Sequence, residues 1–209
     1  DSKAPSQLRT RAELALGRCR RLRAELLADP AEKNKLLDGA RAVLSIPTRR
    51  LEHAPSAVQA TLELARIDAL KGLHPHGIQR LAVFKTRSPW KESDSAGEAL
   101  LEQARLQKEV RQYPQAQETL KSARNLALPA WLAGIQFEEA RLLVKMGKAT
   151  EAGKALLKLY ENAAGARVRG LVALELLRLG LLPGRLPAEI AALAEAGGDE
   201  PGAELRADL

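Results

Sequence analysis

Apolar residues recur every three or four positions along most of this chain, which is the spacing that lines one face of an α-helix. In the first predicted helix, residues 6–28, we expect these apolar residues to face the core. A second helix is predicted to begin at Asp29-Pro30, where the aspartate can cap free N–H groups. We expect it to reach about Ser45 and to end before Pro47. The apolar positions of the first helix are Leu8, Ala12, Ala15, Cys19, Leu22 and Leu26.

The same spacing predicts further helices downstream, with glycine and proline marking their ends. His74-Pro75-His76 is expected to form a turn, and residues 86–94, with Pro89 and several turn formers, are the segment most strongly predicted to be a loop. No stretch alternates Val, Ile, Thr and Tyr as a half-buried strand does. We therefore expect an all-α fold of about five antiparallel helix pairs. The later predicted helices are residues 54–71 and 77–85, 95–112 and 115–127, 129–146 and 148–162, and 167–179 and 187–196.

An internal repeat organises the middle of the chain. The phrase Glu-x-Ala-Arg occurs at residues 63–66, 102–105 and 138–141, at intervals of 39 and 36 residues. A turn position follows each alanine, then a small residue, then two further positions that are mostly large and apolar. Stacked units of two helices are typical of such periods, and the small residue would let the second helix approach the first. The turn and small positions are Gly72 and Gly77, Arg111 and Ala116, and Gly147 and Ala152.

Residues 135–160 resemble the tetratricopeptide (TPR-like) repeat family, with small and apolar residues in the family's slots. The family's early Trp and its mid-helix Gly and Tyr are missing, and Gln136, Ala140 and Leu143 stand in those places. The resemblance extends over roughly residues 55–163. It implies an α-α superhelix, a TPR-like solenoid, that binds a partner on its concave face. A non-repetitive helical bundle is the alternative. The matching residues are Ala140, Leu143, Gly147, Ala152 and Leu156.

The domain organisation follows from where the repeat is regular. We expect one helical-repeat domain over residues 1–196, with an irregular N-terminal pair at 6–46 and TPR-like units at 55–163. Residues 166–196 would cap the repeat as C-terminal helices. Residues 197–209, which are rich in glycine and acidic side chains, are expected to form a flexible tail.

The net charge of +7 permits binding to nucleic acid or to an acidic protein. Five arginines of the first predicted helix are candidate phosphate contacts, because guanidinium groups match phosphate geometry. The alternative is a solvated face whose arginine stems cover the core. The aromatic residues that would stack on bases are few, at 3%, and none adjoins this run. The five candidates are Arg9, Arg18, Arg20, Arg21 and Arg23.

Candidate contacts for a protein partner lie on the repeat and in the long loop. Arg66, Arg105 and Arg141 share one phase of the repeat, so they are predicted to form a ladder on the concave side. The alternative is that each pairs with the glutamate three residues before it, which is ordinary helix-surface pairing. Trp90 lies in the predicted loop, where it would either anchor the loop or contact a partner.

No local pattern points to catalysis, a cofactor or a metal. The histidines, at positions 53, 74 and 76, lack the additional ligands that zinc requires. Cys19 lies among arginines, which would suit a nucleophilic thiolate, but its position predicts a buried structural role. Glycine-rich phosphate loops are absent from the sequence. We therefore expect no catalytic, cofactor-binding or metal-binding residues, although an enzyme with a pocket assembled from distant residues stays open as a third reading.

The function predicted from the sequence is a protein–protein interaction scaffold or adaptor that uses the concave face of the repeat. The partner would be a protein or peptide, acidic or extended. The alternative is a nucleic-acid-associated or transcription-regulatory protein that uses the arginine-rich first helix. The single cysteine fits a reducing compartment such as the cytoplasm, and no apolar stretch is long enough to span a membrane. Because the chain begins at Asp1, a cleaved export signal or a longer precursor stays open.

Overall fold

The computed structural model describes residues 3–50, 55–86, 90–126, 129–162 and 166–181, and the regular structure in these ranges is helical. The all-α prediction is therefore confirmed for this part of the chain. A 3-10 turn at Trp90–Glu92 interrupts the long predicted loop. The α-helices are α1 Lys3–Glu25, α2 Pro30–Arg50, α3 Pro55–Leu70, α4 His74–Leu81, α5 Val83–Thr86, α6 Ala96–Glu109, α7 Tyr113–Leu126, α8 Pro129–Lys145, α9 Ala149–Asn162 and α10 Ala166–Arg178.

Two compact units make up the chain, Asp1–Leu128 and Pro129–Leu209. In the first unit each helix packs on its neighbour in sequence, so α1 lies on α2, α2 on α3, α3 on α4 and α6 on α7. In the second unit α9 packs on both α8 and α10. The predicted helix at 187–196, the predicted tail at 197–209 and His53 lie outside the described residues.

Four helix ends share one turn geometry. Gly72, Arg111, Gly147 and Gly180 adopt positive φ angles of 72°, 62°, 78° and 67° at the ends of α3, α6, α8 and α10. In each case the following residue donates its N–H to the carbonyl five residues earlier, which is the Schellman arrangement. The turn positions predicted from the repeat are thus confirmed. The four bonds are Leu73 to Asp68, Gln112 to Gln107, Lys148 to Leu143 and Leu181 to Leu176.

The small residues predicted for the second helices lie at helix contacts. A Cβ atom at Gly77 in α4 would lie 3.1 Å from the Ala65 backbone oxygen and 2.8 Å from Leu106 Cδ1. The backbones of α3 and α4 therefore approach so closely that a larger side chain would force them apart. Ala116 in α7 and Ala152 in α9 occupy the same repeat position and are 1% and 0% exposed. The predicted role of this position is confirmed.

The predicted orientation of α1 is wrong. Its regular apolar residues, including Leu8 at 66% and Leu22 at 36% exposure, face away from the core, and Leu26, one residue past the helix end, is 78% exposed. The opposite face of the helix packs instead, with Gly17 and Ala24 buried. A side chain at Gly17 would overlap Leu44 of α2, so this glycine allows the two helices to meet. The buried face of α1 is thus the one with small residues, which permit close approach of the helices, and not the one with the regularly spaced leucines.

Three local predictions also need correction. Cys19 is exposed rather than buried, because it shares the outward face of α1. Pro47 does not end α2, which continues to Arg50; the proline lies in the last turn, is buried, and removes only one donor from the helix. His74-Pro75-His76 forms the first turn of α4 rather than a separate turn, with Pro75 at a position where no N–H is needed.

Replacing Arg111 with glycine should stabilise the first unit. Arg111 is the residue other than glycine that adopts a positive φ in the described ranges, and this conformation costs an L-residue about 1 kcal/mol. We expect Arg111→Gly to raise the free energy of unfolding by about that amount in urea titrations. Arg111→Ala is the control, because it removes the charge but keeps the strain, and should give no such gain. Equal stabilisation by both variants would contradict the conformational explanation.

Candidate interaction surface

The three arginines predicted to form a ladder lie on the first helices of the repeats. In α3, Arg66 Nη1 donates to Glu63 Oε1 at 2.9 Å. The corresponding bonds are Arg105 to Glu102 at 3.5 Å in α6 and Arg141 to Glu138 at 3.3 Å in α8. The structure therefore contains the helix-surface pairing that was the alternative to an unpaired ladder. All three side chains keep some exposure, at 22%, 44% and 36% respectively.

Arg66 also connects its repeat to the next one. Its Nη2 donates to Glu98 Oε1, in the first turn of α6, at 2.7 Å. Burial is the largest influence on Arg66 and lowers its pKa, but the combined attraction of Glu63, Glu102 and Glu98 raises the pKa overall. The guanidinium therefore stays charged and holds α3 beside α6 in the first unit.

Arg141 has a comparable position in the second unit. Its Nε lies 3.9 Å from Glu175 Oε2 of α10, and its guanidinium carbon lies 5.8 Å from the centre of the Phe137 ring. The ring adds a cation–π contact to the ionic ones. In each unit, an arginine at the same repeat position thus reaches one glutamate on its own helix and a second glutamate on the first helix of the following helix pair.

Glu63 is a buried carboxylate, 2% exposed, at the centre of a second cluster. Arg21 of α1 donates from Nε to Glu63 Oε2 at 2.5 Å, and Arg18 Nε lies 3.9 Å from Oε1. Arg21 also pairs with Glu25 on its own helix. Together with Arg66, these arginines surround Glu63 and tie α1 to α3.

Asp68 is a second buried carboxylate on α3, 1% exposed. It accepts from Arg41 Nη2 of α2 at 2.5 Å and from Arg80 Nε of α4 at 3.0 Å. Sequence reasoning missed this cluster and the pairing of Glu63 with Arg21 and Arg18 of α1. The available signal was the presence of acidic residues among consecutive core positions of α3, where a charge needs a buried partner.

The five arginines predicted as phosphate contacts do not share one role. Arg21 is buried against Glu63 and is therefore unavailable to a phosphate, which corrects that prediction. Arg20 Nη1 donates to the Gly39 carbonyl oxygen at 3.0 Å. The three others remain exposed, and their side chains lie beside the outward apolar face of α1: Arg9, Arg18 and Arg23.

Trp90 is 7% exposed, so its burial supports the role of loop anchor rather than that of exposed partner contact. Its ring meets that of Phe84 edge to face, with centroids 5.2 Å apart. The indole Nε1 is buried and has no hydrogen-bond partner among the residues that the structure describes. The aromatic pair fixes the 3-10 turn at Trp90–Glu92 on α5.

Within the described ranges, His, Cys, Asp and Glu side chains do not gather in groups of three or more that could hold a metal ion. The helices of these ranges also lack the combination of length and apolar content needed to cross a membrane.

Comparison with solved structures supports the repeat architecture. The chain is 20% identical to a kinesin light chain-like protein of Podosopora anserina with nearly identical TPR-like repeats, at a TM-score of 0.61 over 92% of this chain and 98% of that one. It is 16% identical to a thermophilic TPR protein of Thermus thermophilus, at a TM-score of 0.60 over 95% and 97%. MamA matches at 16% identity and a TM-score of 0.50, over 88% and 96%.

No protein-family model matches the chain, and no curated protein is significantly similar to it. At these identities the solved structures establish the fold. The fold is that of TPR-like repeat proteins, so the resemblance predicted from the sequence is confirmed at this level.

Replacing Glu63 with glutamine should destabilise the first unit strongly. The change leaves Arg21 buried without its carboxylate, and breaking a buried ion pair in this way costs about 3–5 kcal/mol. Urea titration of Glu63→Gln should show this loss, and adding Arg21→Met should recover part of it by removing the uncompensated charge. Glu118→Gln, at an exposed pair with Lys121, is the control and should leave the midpoint unchanged. An unchanged midpoint for Glu63→Gln would contradict a stabilising role for this pair.

Proposed function

We propose that this chain is a non-catalytic scaffold that binds a protein or peptide partner on the first helices of its repeats, α3 and α6 in the first unit or α8 in the second. The observation that carries the proposal is the recurrence of one polar arrangement, a glutamate and an arginine one turn apart, on α3, α6 and α8. An arrangement that recurs at the same repeat position and stays partly exposed is suited to ligand binding on the first helices of either unit. The TPR-like fold is consistent with a protein partner.

The chemistry of this surface favours an extended peptide. A guanidinium group has five N–H donors, and the two bonds that Arg66 makes to Glu63 and Glu98 leave donors for a ligand. Backbone carbonyls and carboxylates of a peptide can accept from such groups, while the glutamates can accept from its N–H groups. Because each arginine already has a glutamate beside it, binding should rest on directional hydrogen bonds more than on net charge.

Reversing two exposed ladder arginines should abolish partner binding. The variant Arg105→Glu/Arg141→Glu changes the side chains with 44% and 36% exposure and leaves Arg66, which links α3 to α6. Because Arg141 also reaches Glu175 of α10, thermal unfolding should confirm that the second unit of this variant stays folded. Affinity capture from the source cell, with nuclease added, should recover proteins with the wild-type chain. The ladder variant should lose those proteins by more than about tenfold, which corresponds to roughly 1.4 kcal/mol.

The matched control carries the same charge change on the second helices. Lys121→Glu/Lys154→Glu reverses two exposed side chains of α7 and α9 and should retain the captured proteins. Circular dichroism should show that both variants keep their helices. Equal capture by the ladder variant and the wild type would overturn the proposal. Loss of all captured material on nuclease treatment would instead point to nucleic acid.

A further inference from the structure

An exposed apolar stripe runs along the outward face of α1 and ends at Leu26, one residue past the helix end at Glu25. We call these apolar residues the α1 stripe. They recur in alternating steps of four and three residues, which is the a/d spacing of a coiled-coil seam. Its leucines are exposed: Leu8 at 66%, Leu22 at 36% and Leu26 at 78%. Leu16, beside the stripe, is 46% exposed. The full set is Leu8, Ala12, Ala15, Cys19, Leu22 and Leu26, all exposed.

The stripe is not the face through which α1 packs on the first unit. That packing uses the opposite face, where Gly17 meets Leu44 and Arg21 meets Glu63. At a rise of about 1.5 Å per residue, the stripe from Leu8 to Leu26 is roughly 27 Å long. This length suits one further helix lying along α1. Exposed leucines at seam spacing over such a length are typical of a partner-binding face.

The charges that flank the stripe decide which helix fits it. In coiled-coil register the flanking e and g positions hold Arg9 and Arg23 on one side, and Arg11 and Arg18 on the other. Glu25 is the acidic residue among these positions. Although Arg9 also pairs with Glu13, its side chain is 68% exposed, and that of Arg18 is 54% exposed. These arginines therefore remain accessible beside the apolar seam.

A second copy of α1 would be a poor occupant. In a parallel pair, Arg18 would lie against Arg23 of the other copy. In an antiparallel pair, each flank of the stripe would face the same flank of the other copy, which again brings arginines together. Like charges at these positions oppose association, whereas opposite charges favour it. A helix with Glu or Asp at its flanking positions would match both the seam and the charges.

We propose that the α1 stripe is a docking site for an amphipathic helix of another protein, with apolar residues along its seam and acidic residues at its flanks. The site lies on α1, whereas the proposed scaffold function uses the first helices of the repeats. The two proposals are therefore independent. Docking would bury Cys19, which occupies a central seam position and is the only cysteine of the chain, so its thiol reports on occupancy.

The test uses the full chain and two synthetic helical peptides of about three heptads, with leucine at the seam positions of both. One peptide carries glutamate at its flanking positions and the other carries lysine. Fluorescence anisotropy should show that the glutamate peptide binds more than about tenfold more tightly than the lysine peptide. Binding of the glutamate peptide should also slow the reaction of Cys19 with a maleimide.

Two matched variants separate the stripe from general hydrophobic attraction. Leu22→Glu/Leu26→Glu introduces charge into the stripe and should abolish binding of the glutamate peptide. Leu126→Glu/Leu177→Glu makes the same change at exposed leucines of α7 and α10 and should leave binding unchanged. Arg105→Glu/Arg141→Glu should also leave it unchanged, so that failure of the scaffold proposal and failure of this one are distinguishable. Circular dichroism checks that each variant keeps its helices.

Several results would overturn the proposal. Equal binding of the two peptides, or loss of binding in the Leu126→Glu/Leu177→Glu variant, would show that the stripe and its charges do not select the ligand. A dimer in sedimentation, with Cys19 protected as concentration rises, would identify a second copy as the occupant. A monomer whose Cys19 resists maleimide at every concentration would show that another part of the same chain covers the stripe.

Discussion

The first unit depends on two carboxylates buried in α3. Glu63 and Asp68 are almost completely withdrawn from water, and a buried charge is stable only when a partner of opposite charge lies against it. Arginines from α1, α2 and α4 supply those partners. Each neighbouring helix must therefore dock on α3 with its arginine in place. This requirement gives the packing a specificity that apolar contacts alone do not provide.

The same constraint explains the two faces of α1. Arg21 must reach Glu63, and Gly17 must lie on α2 to avoid overlap with Leu44, so the helix can be rotated in only one way. That rotation turns the leucines outward, together with the arginines that flank them. A face that seemed suited to the core is thus left exposed, with Arg9, Arg18 and Arg23 beside it.

The repeated glutamate–arginine pairs combine a structural role with a proposed binding role. Arg66 and Arg141 each reach a glutamate on the following first helix, so they hold neighbouring repeats within their units. Their remaining exposure leaves a mixed polar surface along these helices. Such a surface suits an extended ligand through hydrogen bonds, while the stripe on α1 suits a helix through apolar contact. The two surfaces differ in chemistry and therefore in the partners proposed for them.

The sequence alone determined the features that depend on nearby residues. Apolar spacing predicted the helices, glycine at positions such as Gly147 predicted where they end, and the small residue Gly77 predicted a close helix contact. Tertiary structure decided which face of α1 is buried and whether Arg21 is accessible, because both depend on Glu63, a residue distant in sequence. Helical periodicity finds an apolar face, but it does not show whether the core or a partner will cover it.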